Sequence, residues 1–94
     1  MIYSLQIRAA RALLGLGQGD LAKLAGVGVG TVKRLESRDE MSTSIGTLLS
    51  VKRALEAAGV AFIDEDAERG PGVRLRRPRD QTPMSEGRSA RGAR

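Results

Sequence analysis

The chain has 94 residues, enough for one small domain, and it contains one Phe, one Tyr and no Trp, so its core must be built from aliphatic side chains. Cysteine and histidine are absent, which excludes disulfides and removes the commonest general base. These absences argue against an enzyme, and we expect no cofactor and no metal. The formal net charge of +5 suits a polyanionic partner or an ordinary protein surface, so the positions of the charges must decide.

The first half of the chain is predicted to form four short helices separated by glycine-containing breaks. Apolar residues recur there at helical spacing, and glycine readily adopts the positive φ that ends a helix. The predicted helices span residues 5–14, 18–25 and 29–37, with a fourth ending at residue 58; Ser4 is expected to cap the first, and Ser42, Thr43 or Ser44 the fourth. The expected core residues are Ile7, Ala10, Leu14, Leu21, Leu24, Ala25, Val32, Leu35, Leu48, Val51, Leu55 and Ala58.

After the fourth helix the period of the pattern changes. Residues 60–63 are apolar and β-prone, and residues 73–76 alternate between apolar side chains and arginine, as in a half-buried strand. The charged segment between them ends in Gly-Pro-Gly, a turn signal. We therefore predict a β-hairpin over residues 60–77, the alternative being an extended, unpaired segment.

The last part of the chain, residues 78–94, is rich in Pro, Ser, Gly and Arg and has almost no apolar residues, so we predict that it is disordered. The sequence lacks a run suited to a membrane span and an apolar signal-peptide core, so we expect a cytoplasmic protein. The expected division is residues 1–59, 60–77 and 78–94.

Two short helices joined by a glycine-containing turn carry the functional interpretation. The stretch Gln18-Gly-Asp-Leu-Ala-Lys-Leu-Ala-Gly is followed by Thr31-Val-Lys-Arg-Leu-Glu. Ala22 is small enough for a crossing helix, and Gly26 suits the corner. Over about residues 5–58 the chain resembles the helix-turn-helix of the XRE/Cro-type family, which includes the lambdoid phage repressors. The resemblance implies a mostly α, four-helix lambda-repressor-like DNA-binding domain, followed here by the hairpin and tail.

The resemblance also implies that the helix at residues 29–37 enters the major groove. The family's base-contacting positions match Gly28, Val29, Gly30 and Arg34, but relatives usually carry polar side chains at the first three. Direct readout would rest on Arg34 with guanine and on Val29 against a thymine methyl. We therefore expect relaxed specificity or more dependence on DNA shape; alternatively, the glycines let the backbone approach the bases closely. The phosphate-binding candidates are Gln18, Thr31, Lys33, Arg38 and Ser44.

A salt bridge is expected inside this domain. Arg11 falls on the apolar face of the first helix, and a buried guanidinium needs a partner. Glu36 borders the inward face of the third helix, and the family links these two matching positions. We predict an Arg11–Glu36 pair, the alternative being two surface charges.

Three other patterns are interpreted as ordinary turns or loops. The glycine runs at residues 15–19 and 26–30 resemble nucleotide-binding loops, but no strand precedes them and no Gly-Lys-Ser/Thr follows. The acidic cluster at residues 64–66 lacks the later ligands of a calcium loop.

The resulting interpretation is a homodimeric bacterial or phage regulator, a repressor that places two recognition helices in successive major grooves about 34–36 Å apart. A single helix-turn-helix buries little surface, which favours a dimer. The expected dimer contact is the hairpin, assisted by Ile45 and Leu49, unless the hairpin covers its own subunit's core. The other hypothesis is an antitoxin or a similar protein-interaction module. The expected partners are therefore double-stranded DNA, a second copy and a possible protein partner, without a membrane, and the expected location is the nucleoid. The arginine-rich tail would either clamp DNA non-specifically or keep the chain soluble.

Overall fold

The computed structural model of the protein describes residues 2–37 and 44–78. This part of the chain forms four helices and a two-stranded antiparallel hairpin, which confirms the predicted mostly α fold. The predicted tail, apart from Pro78, and two of the three candidate caps of the fourth helix, Ser42 and Thr43, lie outside the described residues. The elements are α1 (Ser4–Leu14), α2 (Gln18–Ala25), α3 (Val29–Glu36), α4 (Ile45–Ala57), β1 (Val60–Ile63) and β2 (Gly72–Leu75).

The core lies where all four helices and the hairpin converge. The predicted inward stripes of α1, α3 and α4 supply most of it, and each fully buried aliphatic side chain contributes about 1.5–3 kcal/mol relative to exposure. None of the helices in the described ranges is long and apolar enough to cross a membrane. The buried apolar residues are Ile2, Ile7, Ala10, Leu21, Ala22, Val32, Leu35, Val51, Leu55 and Val60.

Two of the predicted core residues, Leu24 and Ala58, are exposed instead. The inward face of α2 follows the spacing i, i+3, i+4, i+7 from Gln18, and Leu24 lies about a third of a turn away from that face. Its side chain is 55% exposed. Ala58 is the C-cap residue of α4, beyond the last helical turn that packs on the core.

The predicted N-cap of α1 was also wrong, whereas the three candidates for the N-cap of α4 include the observed residue. Ser4 is the first helical residue of α1, and Tyr3 is its N-cap. Ser44 is the N-cap of α4, and its hydroxyl oxygen accepts a hydrogen bond from the Thr47 backbone N–H at 3.1 Å. The two helices therefore begin differently, because only α4 has a short hydroxyl side chain at the capping position.

The hairpin folds back onto the chain's own core. Val60 pairs with Leu75 in the antiparallel register and is fully buried. Phe62 and Val73 face each other across the strands and pack against the core from its edge. The apolar inner face of the hairpin therefore packs on the core of its own chain.

A buried amide, which the sequence pattern did not identify, fastens the hairpin to α1. Gln6 is only 1% exposed. Its Oε1 accepts a hydrogen bond from the Tyr3 backbone N–H at 2.8 Å, and its Nε2 donates to the carbonyl oxygens of Ile63 and Gly72 at 3.3 and 3.0 Å. One side chain thus joins the start of α1 to both strands, and its polar atoms are satisfied as burial requires.

A second contact joins the same two regions at the surface. The Tyr3 hydroxyl donates a hydrogen bond to a carboxylate oxygen of Glu65, in the loop between the strands. This bond and the negative charge of Glu65 raise the pKa of Tyr3 above its ordinary value. Because the folded-state pKa is the higher one, the stabilisation by this contact is complete below the ordinary tyrosine pKa and is lost as the pH rises through the folded-state pKa.

The first prediction concerns this hydrogen bond. Tyr3 is the only tyrosine and the chain has no tryptophan, so phenolate absorbance reports on this residue alone. We expect the titration midpoint of the folded protein to lie above the ordinary value of about 10 and to return towards it in Glu65→Gln. Titration in denaturant provides the reference, and a wild-type midpoint equal to that reference would contradict the contact.

Candidate nucleic-acid interface

The turn between α2 and α3 is built by glycine. Gly26 ends α2 in the left-handed region, with φ of 71°, where a side chain would be strained. The N–H groups of Gly26 and Val27 donate to the carbonyl oxygens of Lys23 and Ala22 at 3.3 and 3.0 Å. Gly28 is then the N-cap of α3. The chain therefore changes direction within residues 26–28 while the last carbonyls of α2 keep partners.

The two sides of α3 differ sharply. Val32, Leu35 and Glu36 are buried, at 0%, 5% and 5% exposure. The opposite side carries the residues expected to face DNA, and in the described part of the chain that side is open to solvent. The exposed residues of this side are Gly28, Val29, Gly30, Lys33 and Arg34.

The expected Arg11–Glu36 pair is present in the structure as a two-pronged contact. Arg11 Nε and Nη2 donate to Glu36 Oε2 and Oε1 at 2.8 and 3.0 Å. Arg11 Nη1 also donates to the Leu16 carbonyl oxygen at 3.0 Å. The hydrogen bonding of Arg11 to the Glu36 carboxylate, which accepts, raises the pKa of Arg11 above its ordinary value, so the guanidinium stays charged. The pair fixes α3 against α1 and against the loop that follows α1.

Gln18 joins this pair instead of projecting freely. Its Nε2 donates to Glu36 Oε1 at 3.0 Å, so the carboxylate binds α1, α2 and α3 together. The N-terminus of α2 holds a second contact that the sequence interpretation did not include. The Asp20 carboxylate accepts from the Gly17 backbone N–H at 2.8 Å, and the signal was available, because an acidic residue three positions after an N-cap is typical of a helix start.

The glycines at the tip of α3 are not required by the fold. A Cβ atom at Gly28 would meet nothing within 4 Å, and one at Gly30 would lie 3.7 Å from Arg34 Nη1, an ordinary contact. Neither residue is among the glycines with positive φ. Packing and backbone conformation in the described part of the chain therefore allow a Cβ atom at both positions.

The remaining candidates occupy different kinds of position. Thr31 is half-buried on α3, and its hydroxyl accepts a hydrogen bond from Arg34 Nη2 at 3.2 Å. The Ser44 hydroxyl caps α4 and also donates to Thr47 Oγ1 at 2.9 Å. Arg38 lies outside the described residues.

In the acidic loop of the hairpin, Asp66 forms hydrogen bonds to the neighbouring backbone. The Asp66 carboxylate accepts from the backbone N–H groups of Glu68 and Arg69 at 2.8 Å each, and these bonds lower the pKa of Asp66. Among the described residues there is no group of three or more His, Cys, Asp or Glu side chains placed to hold a metal ion.

The second prediction tests the buried carboxylate. Glu36→Ala leaves the Arg11 guanidinium without its anionic partner in a site that is mostly closed to water. We expect the free energy of unfolding to fall by about 2–4 kcal/mol, somewhat less than for a fully buried ion pair, because the Arg11 side chain is 24% exposed. Chemical denaturation measures the loss, with the exposed Glu68→Ala as the control. A loss below about 0.5 kcal/mol, the size of a surface substitution, would contradict the structural role.

Comparison with known proteins agrees with this geometry. The model of a family described as helix-turn-helix matches residues 7–57, more than half of the chain, and the match extends from α1 to the last residue of α4. No curated protein matches the chain.

Proposed function

We propose that this chain, which belongs to the XRE/Cro-type family of helix-turn-helix DNA-binding proteins, is a sequence-specific regulator of transcription. In this proposal it is a dimeric repressor that inserts α3 in the major groove. The observation that carries the proposal is the exposed outer side of α3. That side holds two cations, Lys33 and Arg34, while the inner side of the same helix is anchored by Val32, Leu35 and Glu36.

The proposed base contacts centre on Arg34. A guanidinium donates to both O6 and N7 of guanine, the commonest specific contact in the major groove, and Arg34 is exposed on the outer side of α3. Val29, 44% exposed at the start of the helix, is suited to contact a thymine methyl group. Lys33 would contribute a phosphate contact that carries no sequence information.

The proposed phosphate contact at Gln18 relies on the N-terminus of α2 more than on the side chain. The Gln18 amide nitrogen is engaged with Glu36, so the exposed N–H groups of the first turn would supply the donors. Gly28 and Gly30 add no side chains to the tip of α3, and the fold does not require glycine at either position. This favours the interpretation in which the bare tip lets the backbone approach the bases closely.

The third prediction tests DNA recognition. Selection of bound sequences from random duplex DNA at two salt concentrations should enrich a defined motif. Arg34→Ala should remove the preference for one guanine, reducing discrimination there by about 5- to 150-fold, the equivalent of 1–3 kcal/mol. Arg53→Ala, an exposed arginine on α4, is the matched control and should keep the full preference.

Lys33, on the same surface, provides a complementary test of a contact that does not depend on sequence. Lys33→Ala should weaken binding to all duplexes equally and lower the salt dependence by about one counterion. The function is refuted if the wild-type chain ignores duplex DNA at low ionic strength, and the role of Arg34 is refuted if its alanine variant keeps the whole motif.

The proposed dimer contact moves to α4 because the inner face of the hairpin is covered. Ile45 and Leu49 lie one turn apart on α4 and are 76% and 40% exposed, so they form an apolar strip outside the core. Ile63, 43% exposed on β1, is the large aliphatic side chain that the hairpin still leaves available to a second copy.

The fourth prediction concerns oligomeric state. Light scattering at micromolar concentration should give about twice the chain mass of 10.0 kDa. The double variant Ile45→Asp, Leu49→Asp should give the monomer mass. Leu13→Asp, at a similarly exposed leucine on α1, is the control and should remain dimeric. A monomeric wild-type chain would rule out the dimer.

A further inference from the structure

The guanidinium of Arg34 is held by its own helix. Arg34 Nη2 donates to the Thr31 hydroxyl at 3.2 Å, and Nη1 lies 3.7 Å from the point where a Cβ of Gly30 would stand. Long side chains in a helix lean towards its N-terminus, and residues three positions apart are neighbours on its surface. The charged group of Arg34 is therefore drawn back over the first turn of α3.

The surroundings of this guanidinium are sparse. Gly30 has no side chain to compete for the space over the first turn, and Val29 has no polar atom. A guanidinium has five N–H groups, and the bond to Thr31 uses one of them. Within residues 2–37 and 44–78 no other hydrogen bond of this group is found, so its remaining N–H groups can make a two-pronged contact with a base edge. Thr31 thus holds the group without blocking it.

We propose that Thr31 is a positioning residue for Arg34: its hydroxyl orders the guanidinium over the first turn of α3 before DNA binds, and so sharpens discrimination at the base pair that Arg34 reads. This rests on the proposed function. It differs from the phosphate contact expected of Thr31 from the sequence. A hydroxyl that accepts a hydrogen bond from Arg34 affects discrimination between bases, whereas a phosphate contact affects the affinity for all sequences equally.

The first part of the test uses the free protein and needs no DNA. The order parameter of the Arg34 Nε–H group is measured by NMR in the wild type and in Thr31→Val, which keeps the branched shape and removes the hydroxyl. Arg11, held by Glu36, is the rigid reference, and the exposed Arg53 is the mobile one. We expect Arg34 to be more ordered than Arg53 in the wild type, to match Arg53 in Thr31→Val, and to recover in Thr31→Ser.

The second part is the fifth prediction and measures base discrimination. Each base pair of the selected duplex is substituted in turn, and the pair whose discrimination is lost in Arg34→Ala is taken as the Arg34 position. Thr31→Val should reduce discrimination at that pair by about 3- to 10-fold, the share of one hydrogen bond, and leave the other pairs unchanged. Thr31→Ser should restore it. Thermal unfolding of each variant separates these effects from a loss of folding.

The outcomes are distinguishable. A uniform loss of affinity for every duplex in Thr31→Val, with discrimination unchanged, makes Thr31 a backbone contact and overturns the proposal. Equal order of Arg34 in the wild type and in Thr31→Val overturns it as well. Failure of the wild type to select any motif refutes the proposed function itself, and the NMR comparison still reports whether Thr31 orders Arg34.

Discussion

The arrangement of the first three helices depends on the hydrogen bonds that the buried carboxylate of Glu36 accepts. This carboxylate lies at the end of α3 and accepts hydrogen bonds from Arg11 of α1 and Gln18 of α2, while Arg11 also reaches the Leu16 carbonyl between those helices. Burying a carboxylate is costly unless its oxygens are paired, and here three donors pair them. Because those donors come from different elements, the orientation of α3 is fixed by directional bonds as well as by apolar packing.

The fixed orientation of α3 determines which residues lie on its outer side. With Val32 and Leu35 held inward, the residues left outside are two glycines, a valine and two cations. Few side chains are then available for recognition, so the exact placement of each matters more than in a helix with many polar groups. The positioning role proposed for Thr31 fits this small number of contacts, because ordering one long side chain in advance removes part of the entropy that binding would otherwise lose.

Sequence reasoning predicted the helices and strands, whose signals are local. It missed contacts between residues that are distant in the chain, except where the family resemblance indicated them. The spacing of apolar residues and the glycines predicted four helices, and the placement of Arg11 on an apolar face, together with the family resemblance, predicted its bond to Glu36. Gln6 was missed because a glutamine on a helix is ordinarily solvated. Its carbonyl partners lie 57 and 66 residues further along the chain, and a local pattern carries no information about them. Leu24 was misassigned because a short helix covers only one narrow face, and an apolar residue just outside that face looks the same in the sequence.

The hairpin explains how so small a chain completes its core with so few aromatic residues. The segment that matches the family model ends at residue 57, yet Ile2 and Val60, which lie outside that segment, belong to the buried core. The single Phe of the chain, Phe62, packs there as well, and Val73 faces it from β2. Both strands contact α1, β1 also contacts α4, and Val60 of β1 is fully buried among the core residues. The strands therefore belong to the same packing unit as the helices, and the dimer contact that we propose uses residues that this unit leaves exposed.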